Sequence, residues 1–211
     1  GLITLQDGND TLTIGSGATL SGVTGMSGGN GTDTLNISSG WSGNLHGWEV
    51  INANTSGGDF TLNGFSLGNR YLSKAGDGTL TLNGGLTLAS ESGNSMGSTL
   101  SLGLPQSATD PLILAAGNAV IAGNLIVTPG LGLTFGHTYT LVSVSANSPT
   151  PNSVTGTFSD ISIAGAFDYV ATYNPTSVQL QLIAGSLVDF GASALSANAR
   201  AVAGAFDAAV D

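Results

Sequence analysis

The feature that most constrains the fold is a short alternating segment that recurs along the first half of the chain, each time followed by a glycine-rich turn. In each segment Leu, Ile or Phe alternates with Thr, Asn or Ser, which is the period-two pattern of a strand with one buried face. The turns contain Gly-Asn, Gly-Gly, Asp-Gly and Asn-Gly pairs, which supply positive-φ positions. The clearest segments are Thr11–Ile14, Thr34–Ile37, Phe60–Leu62, Thr79–Leu82 and Thr99–Leu102.

The spacing of these segments indicates a topology. Their leucines lie at intervals of 23, 27, 18 and 20 residues, at Leu12, Leu35, Leu62, Leu80 and Leu100. An interval near 20 residues suits one coil of a stack better than the ~8–12-residue spacing of a sandwich. The sequence therefore predicts an all-β fold, with a right-handed parallel β-helix over residues 1–104 whose coils stack about 4.8 Å apart.

The pattern changes after Leu104. A break at Pro105–Pro111 is followed by apolar alternation and by further strands near 138–143, 154–158, 167–173 and 177–183. The open end of a β-helix exposes strand edges and hydrophobic core, so it needs a cap. Six of the 11 Phe and Tyr residues gather in this region: Phe135, Tyr139, Phe158, Phe167, Tyr169 and Tyr173. We predict that it forms a β cap.

The end of the chain predicts one short α-helix, beginning at about residue 193. Apolar residues there are spaced by 4, 3, 4 and 3 positions, which places them on one helical face. Ser193 or Ser196 is available as the N-cap. The residues of the face are Leu195, Ala199, Val202, Phe206 and Ala209.

Composition excludes several classes of protein. Charged residues make up 8% of the chain, and 13 acidic residues against three basic ones give a net charge of −10. Nucleic acids and anionic membrane surfaces are bound through Lys and Arg, so neither partner is expected. The most apolar stretch, Leu112–Val127, is too short and too polar to span a bilayer. A chain with 41% hydrophobic residues is not expected to be disordered either.

Several segments, in order along the chain, carry a resemblance to a known family. Leu72-Ser-Lys-Ala-Gly-Asp-Gly-Thr-Leu-Thr-Leu-Asn-Gly84 resembles the passenger-associated transport repeat of autotransporters, whose core is Lys-x-Gly-x-Gly-Thr-Leu-x-Leu. Trp41–Asn52 resembles the rung that often precedes this repeat. Asp110–Ile183 resembles the pertactin-like autochaperone segment, and Asn198–Asp207 is similar to the linker helix that enters the translocator barrel.

The resemblance implies an autotransporter passenger exported by type V secretion. Residues 1–104 would be its β-helix stem, 105–185 its autochaperone cap and 186–211 the linker toward a translocator β-barrel. The passenger would be secreted to the cell surface of a Gram-negative bacterium and held at the outer membrane by that barrel, its own partner. The absence of cysteine suits export, because a disulfide formed in the periplasm would lock a loop that must later be threaded.

The expected function is therefore structural: a monomeric stem and autochaperone without cofactor, metal or enzymatic activity. The alternative is an adhesin or other binding module, which would use an exposed face or loops of the β-helix to bind host-surface or other cell-surface molecules. Three aromatic residues, Phe135, Tyr139 and Phe158, lie on the segments most similar to the autochaperone and are flanked by apolar alternation. We predict that they are critical for folding of the cap.

One motif suggests an enzyme. Gly93–Gly97 matches the Gly-x-Ser-x-Gly nucleophile elbow of α/β-hydrolases, with Ser95 as nucleophile. That chemistry needs a strand–turn–helix around the serine, together with a histidine and an acid. No helix is predicted after Ser95, and the two histidines, His46 and His137, lie in glycine-flanked turns. We predict no hydrolase.

A second motif suggests calcium. Gly28–Asn36 matches the nonapeptide of calcium-binding β-rolls, and Asp7–Leu12 is a partial copy. Such rolls stack their nonapeptides in tandem, whereas Asp10 and Asp33 are 23 residues apart. We expect Asp33 to accept backbone N–H bonds within its own turn. Whether these turns bind calcium stays open.

Two aromatic residues and one His/Glu pair complete the candidates. Trp41 and Trp48 could form an exposed carbohydrate platform, but packing in the core is the favoured interpretation. His46 and Glu49 offer too few ligands for a metal site and are expected in a surface turn.

Overall fold

The computed structural model describes residues 1–41, 43–65, 69–88, 97–106, 110–131, 133, 136–146, 151–165, 167–184 and 196–210. About half of these residues lie in β-strands, most of them paired in parallel, and a single short helix is found among them. The expectation of an all-β fold with one terminal helix is therefore confirmed.

The strands of the described residues are arranged in four sheets. Sheet 1 contains, in chain order, β2 (Thr11–Ile14), β4 (Thr34–Ile37), β6 (Val50–Asn54), β8 (Tyr71–Ala75), β11 (Thr99–Leu104), β14 (Asn124–Pro129) and β17 (Asp160–Ile163). Sheet 2 contains β7 (Phe60–Leu62), β9 (Leu80–Leu82), β12 (Ile113–Ala115), β15 (Thr138–Val144), β19 (Ser177–Ala184) and β18 (Phe167–Asn174). Sheet 3 contains β1 (Leu2–Thr4), β3 (Gly25–Ser27) and β5 (Asn44–His46), and sheet 4 contains β10 (Leu86–Thr87), β13 (Ala119–Ile121) and β16 (Val154–Gly156).

The chain returns repeatedly to sheet 1 and adds a new parallel strand each time. Each strand pairs in parallel with the next strand of that sheet, and the chain visits other sheets in between. We call the stretch from one strand of sheet 1 to the next a pass. Outward side chains of successive strands are hydrogen-bonded to one another: Asn36 donates to Thr13, Asn52 donates to Asn36, and Ser73 donates to Asn52. The partners lie 23, 16 and 21 residues apart, which corresponds to three successive passes.

The core lies between the sheets and consists of stacked columns of inward side chains. The first column of sheet 1 is entirely aliphatic: Leu12, Leu35, Ile51, Leu72, Leu100, Leu125 and Ile161. The second contains one charged residue: Ile14, Ile37, Ala53, Lys74, Leu102, Val127 and Ile163. Burying apolar area in this way contributes roughly 25 cal/mol per Å², so the columns dominate the stability of the stack.

The predicted series of five leucine-bearing strands is partly wrong. Leu12 and Leu35 are paired neighbours in sheet 1, but Leu62 and Leu80 belong to sheet 2. Their expected places in sheet 1 are filled by β6 and β8. Those two strands have a weaker alternating pattern, because Ala53 and Lys74 take inward positions where the other strands carry branched aliphatic residues.

Strand direction changes at one end of sheet 2. β7, β9, β12 and β15 are parallel, but β19 runs antiparallel to β15, and β18 runs antiparallel to β19. Parallel pairing continues past residue 104 as far as β16 and β17. The hairpin β18–β19 is thus the element that departs from the repeating arrangement.

The helix α1 spans Ala197–Val210 and confirms the predicted terminal helix. Ser196 is its N-cap, since the Ser196 hydroxyl accepts the N–H of Ala199 at 3.3 Å. Ser193 and Leu195 lie outside the described residues. The predicted face is wrong at Val202, which is 59% exposed, whereas Ala203 is buried. Ala199 of the predicted face is half-buried.

Candidate functional site

Tyr139 lies on β15, between β12 and β19, and its side chain is completely buried. It pairs with Leu180 of β19. Its ring meets His137 edge-on, with centroids 4.6 Å apart and planes at 77°. Burial raises the pKa of the hydroxyl, and the oxygen has no hydrogen-bond partner in the described part of the chain. Because an unpaired buried hydroxyl costs about 1–3 kcal/mol, the ring and not the hydroxyl stabilises this position.

Phe158 joins the last parallel pass to the hairpin. It follows β16 and is 8% exposed. Its ring centroid lies 6.4 Å from that of Tyr173 on β18, and its backbone N–H donates to the Tyr173 hydroxyl at 3.2 Å. Burial raises the pKa of Tyr173; the hydrogen bond from Phe158 opposes this shift, and Tyr169 adds to it.

Two of the three predicted cap residues therefore contact the same element. Tyr139 faces β19 and Phe158 faces β18, so both connect the hairpin to the strands before it. Phe135, the third, lies outside the described residues. The role of these residues in folding stays a prediction.

Lys74 is the feature that the sequence did not indicate. It occupies an inward position on β8 between Ala53 and Leu102 of the neighbouring strands, and it is 1% exposed. Ala53 is the smallest residue of its column, which leaves room beside it for the four-carbon stem of the lysine. The other strands of sheet 1 carry Ile, Leu, Val or Ala at this inward position.

The Lys74 amine is directed to the turn that follows its own strand. Nζ donates a hydrogen bond to the carbonyl of Gly76 at 2.5 Å. Burial lowers the pKa of the amine to about 8, and the carboxylates of Asp77 and Asp59 oppose that shift. Asp77 belongs to the same turn, whereas Asp59 belongs to the turn of the preceding pass.

Thr55 fastens these two turns together. It is 1% exposed, and its N–H donates to the carbonyl of Ala75 at 2.7 Å. Its hydroxyl lies 2.9 Å from the carbonyl oxygens of both Ala75 and Gly78. Its single hydroxyl proton is therefore shared between two carbonyl groups of the next pass.

The glycines of the Lys-x-Gly-x-Gly segment are required by the same close approach. Gly76 has φ +88°, and a Cβ there would lie 2.2 Å from the backbone nitrogen of Ser56. A Cβ on Gly78 would lie 2.6 Å from the carbonyl carbon of Gly58. The two turns stack backbone against backbone, which only glycine permits.

The acidic turns stack in the same way. Asp33 is completely buried; its Oδ1 accepts the N–H of Asp10 at 2.8 Å, and its own N–H donates to Oε2 of Glu49 at 2.9 Å. The expectation that Asp33 stabilises its own turn is therefore wrong. Positions 10 and 33 are adjacent on neighbouring passes, so the carboxylate reaches the earlier pass instead. Its Oδ2 has no hydrogen-bond partner among the described residues.

The other candidates are placed as follows. Trp41 and Trp48 are both buried, and Trp48 donates its indole N–H to the carbonyl of Met26 at 3.2 Å, which confirms the packing interpretation. His46 is exposed on β5, and His137 directly precedes β15 of another sheet. Ser95 lies outside the described residues.

Within the described residues, no three or more His, Cys, Asp or Glu side chains are grouped so that they could hold a metal ion. No helix in this part of the chain is long and apolar enough to cross a membrane. Compared with protein-family models, curated proteins and solved structures, the chain gave no match.

Proposed function

We propose that this chain is the stem and autochaperone region of an autotransporter passenger, and that its sheets are the faces of a right-handed parallel β-helix. The observation that carries the proposal is the reversal of strand direction at one end of sheet 2. There the hairpin β18–β19 adds two antiparallel strands after β15. At the other end, the described residues provide no strand on the outer side of β2. The antiparallel hairpin is thus added at the end of sheet 2 that lies farther along the chain.

The order of strands supports the β-helix. Three consecutive passes visit sheet 1, sheet 2 and sheet 4 in the same order, as β8–β9–β10, β11–β12–β13 and β14–β15–β16. Each pass is stacked on the one before it by parallel pairing in all three sheets. Crossovers between parallel strands are right-handed in about 98% of cases, which favours the right-handed coil.

The physics of stacking supports a role in export. The stability of a solenoid is approximately a sum of interfaces between neighbouring coils, so one folded end lowers the cost of adding the next coil. In a passenger whose C-terminal part leaves the pore first, a capped end would fold outside the cell, prevent back-sliding and template each later coil. No ATP would be needed at the outer membrane.

The proposed role is structural and assigns no catalytic residue. The buried aromatic residues Tyr139 and Phe158 contact other parts of the core, and the buried lysine contacts a turn. These side chains are buried in the stack and are not accessible to a substrate.

Surface display tests the proposal. The chain is joined to a reporter at its N-terminus and to an autotransporter barrel at its C-terminus in a Gram-negative bacterium, and protease accessibility of the reporter is measured on intact cells. We expect the protease to reach the displayed reporter while the folded chain itself stays resistant, and we expect Phe158→Ala to reduce exposure of the reporter several-fold. Phe65→Ala, which truncates a ring that is also buried but lies in an earlier pass, is the control and should retain display. Unchanged display after deletion of residues 105–185 would exclude the autochaperone role.

A further inference from the structure

The strands of sheet 1 are similar enough to pair in more than one alignment. Thr11–Ile14, Thr34–Ile37 and Thr99–Leu102 differ by only a few residues, and all alternate between polar and aliphatic side chains. A slip by one residue would turn every side chain to the wrong face, but a slip by two preserves the alternation. Aliphatic columns alone therefore do not select one register.

β8 differs from these strands at one inward position, Lys74. The observed register pairs Lys74 with Ala53. If β8 slipped by two residues toward the start of β6, Ser73 would pair with Val50 and Lys74 with Ile51. The lysine would then lie opposite a branched side chain.

The slip would also separate the amine from one of its two carboxylates. Asp77 would move with Lys74, because it belongs to the same turn. Asp59 belongs to the preceding pass, so its attraction for the amine depends on the register. The contacts of Thr55 with the carbonyls of Ala75 and Gly78 would be lost as well.

We propose that Lys74 sets the register in which β8 joins β6: the buried amine lowers the stability of the folded chain but excludes alignments in which β8 slips along its neighbour. A buried charge that is poorly compensated is strongly unfavourable, and polar groups in an apolar core are best attested as devices that fix register. In the observed register Ala53 leaves space for the lysine and Asp59 partly compensates the charge, whereas the slipped register described above provides neither. The inference depends on the strand pairing and holds whether or not the chain is an autotransporter passenger.

Cysteine pairs can report the register directly, since the chain has no cysteine of its own. Val50 and Tyr71 are outward neighbours in the observed register, so Val50→Cys with Tyr71→Cys should form a disulfide across about 4.8 Å. Val50→Cys with Ser73→Cys reports the slipped register. In the observed register their Cα atoms are about 8 Å apart, beyond the ~7 Å that a disulfide can bridge.

The experiment compares the slipped and native cross-links after refolding from urea. The full chain is used with Lys74, with Lys74→Met, and with Leu72→Met as the control. Leu72 is buried on the same strand, and its exchange for Met conserves volume. We expect the ratio of slipped to native cross-link to rise at least ten-fold in Lys74→Met and to stay unchanged in Leu72→Met.

A second arm uses pH and does not depend on folding of the variant. The titratable groups that face the amine are Asp59 and Asp77. At pH 9.5 the Lys74 amine is mostly neutral, so refolding of the Lys74 chain at this pH should give a higher ratio of slipped to native cross-link than refolding at pH 7. Because both cross-links are formed under the same conditions, their ratio cancels general effects of pH on thiol oxidation. The ratio in Lys74→Met should not depend on pH. Equal ratios for Lys74 and Lys74→Met at pH 7, or a ratio for the Lys74 chain that is the same at both pH values, would overturn the proposal.

Discussion

The contact between Phe158 and Tyr173 offers the sharpest test of how this molecule folds. Phe158→Ala removes a ring that is 8% exposed, and truncating a buried Phe costs ~3–5 kcal/mol. That is a large part of the ~5–15 kcal/mol that stabilises a domain. The contact joins the hairpin to the last parallel pass, so we expect it to form early. If about 0.7 of a 3 kcal/mol loss appears in the folding barrier, refolding slows roughly thirty-fold.

The control for this variant is Phe65→Ala. Phe65 is 2% exposed and bridges to Leu86 in an earlier pass, whereas Phe60 is only half-buried and would give a smaller loss. We expect Phe65→Ala to be similarly destabilised, but mainly through faster unfolding. Both rates can be followed by the fluorescence of the two buried tryptophans, which report on the earlier passes. If Phe158→Ala refolds at the normal rate while Phe65→Ala refolds slowly, folding begins in the stem and the cap is not its template.

Four further predictions can be tested by equilibrium unfolding. Tyr139→Phe should raise the free energy of unfolding by about 1 kcal/mol, because it removes a buried hydroxyl without a partner; a loss of stability would reveal a hydrogen bond to that group. Gly76→Ala should lower the free energy of unfolding by about 2–4 kcal/mol, because the residue has a positive φ and its new Cβ would clash with backbone atoms. Gly57→Ala should change the free energy of unfolding little, because no atom lies within 4 Å of the added Cβ. The Lys74 amine has a pKa of about 8 in the folded chain and 10.5 in the unfolded chain, so the unfolded chain binds more protons between pH 8 and pH 10.5. The free energy of unfolding should therefore rise by up to about 3 kcal/mol as the pH increases through this range. The same rise in Lys74→Met would contradict the assignment of this effect to Lys74. Calcium should leave the melting temperature unchanged, and an increase of many degrees reversed by EDTA would instead identify Asp33 as a ligand.

The sequence predicted the fold best where the residues repeat. Thr11–Ile14 and Thr34–Ile37 were recognised as strands and are direct neighbours in sheet 1. The strands β6 and β8 were not recognised, because Ala53 and Lys74 interrupt the aliphatic alternation on which such a prediction depends. As a result, strands of two different sheets were assigned to one series. Spacing indicates that strands recur but does not identify the sheet to which a strand belongs, so it equals the length of a pass only where both strands lie in the same sheet.

The candidate site was predicted less completely, because its contacts lie between residues far apart in the sequence. Aromatic clustering indicated that Phe158 would be buried, but not that Tyr173 would accept its N–H from 15 residues away. Asp33 was expected to bond within its own turn, and it bonds across 23 residues. Local rules for turns compare a side chain with its own backbone, and in this stack the nearest backbone is often that of the neighbouring pass.

The residues that break the repeating pattern of this molecule are the ones that select a single register of strand pairing. The Thr-Leu strands share one alternating pattern, so a slip by two residues keeps their aliphatic side chains on the inner face and leaves more than one alignment compatible with it. The elements that restrict the choice are those that break the repeat. Gly76 and Gly78 allow one close approach of two turns, Lys74 fits beside Ala53, and the hairpin β18–β19 ends the parallel pairing in sheet 2. If the repeating residues provide stability and the residues that break the repeat select the register, variants at the two kinds of position should have different effects. Leu-to-Ala changes in the columns should lower the free energy of unfolding and leave the register intact. Lys74→Met should disturb the register and raise the free energy of unfolding.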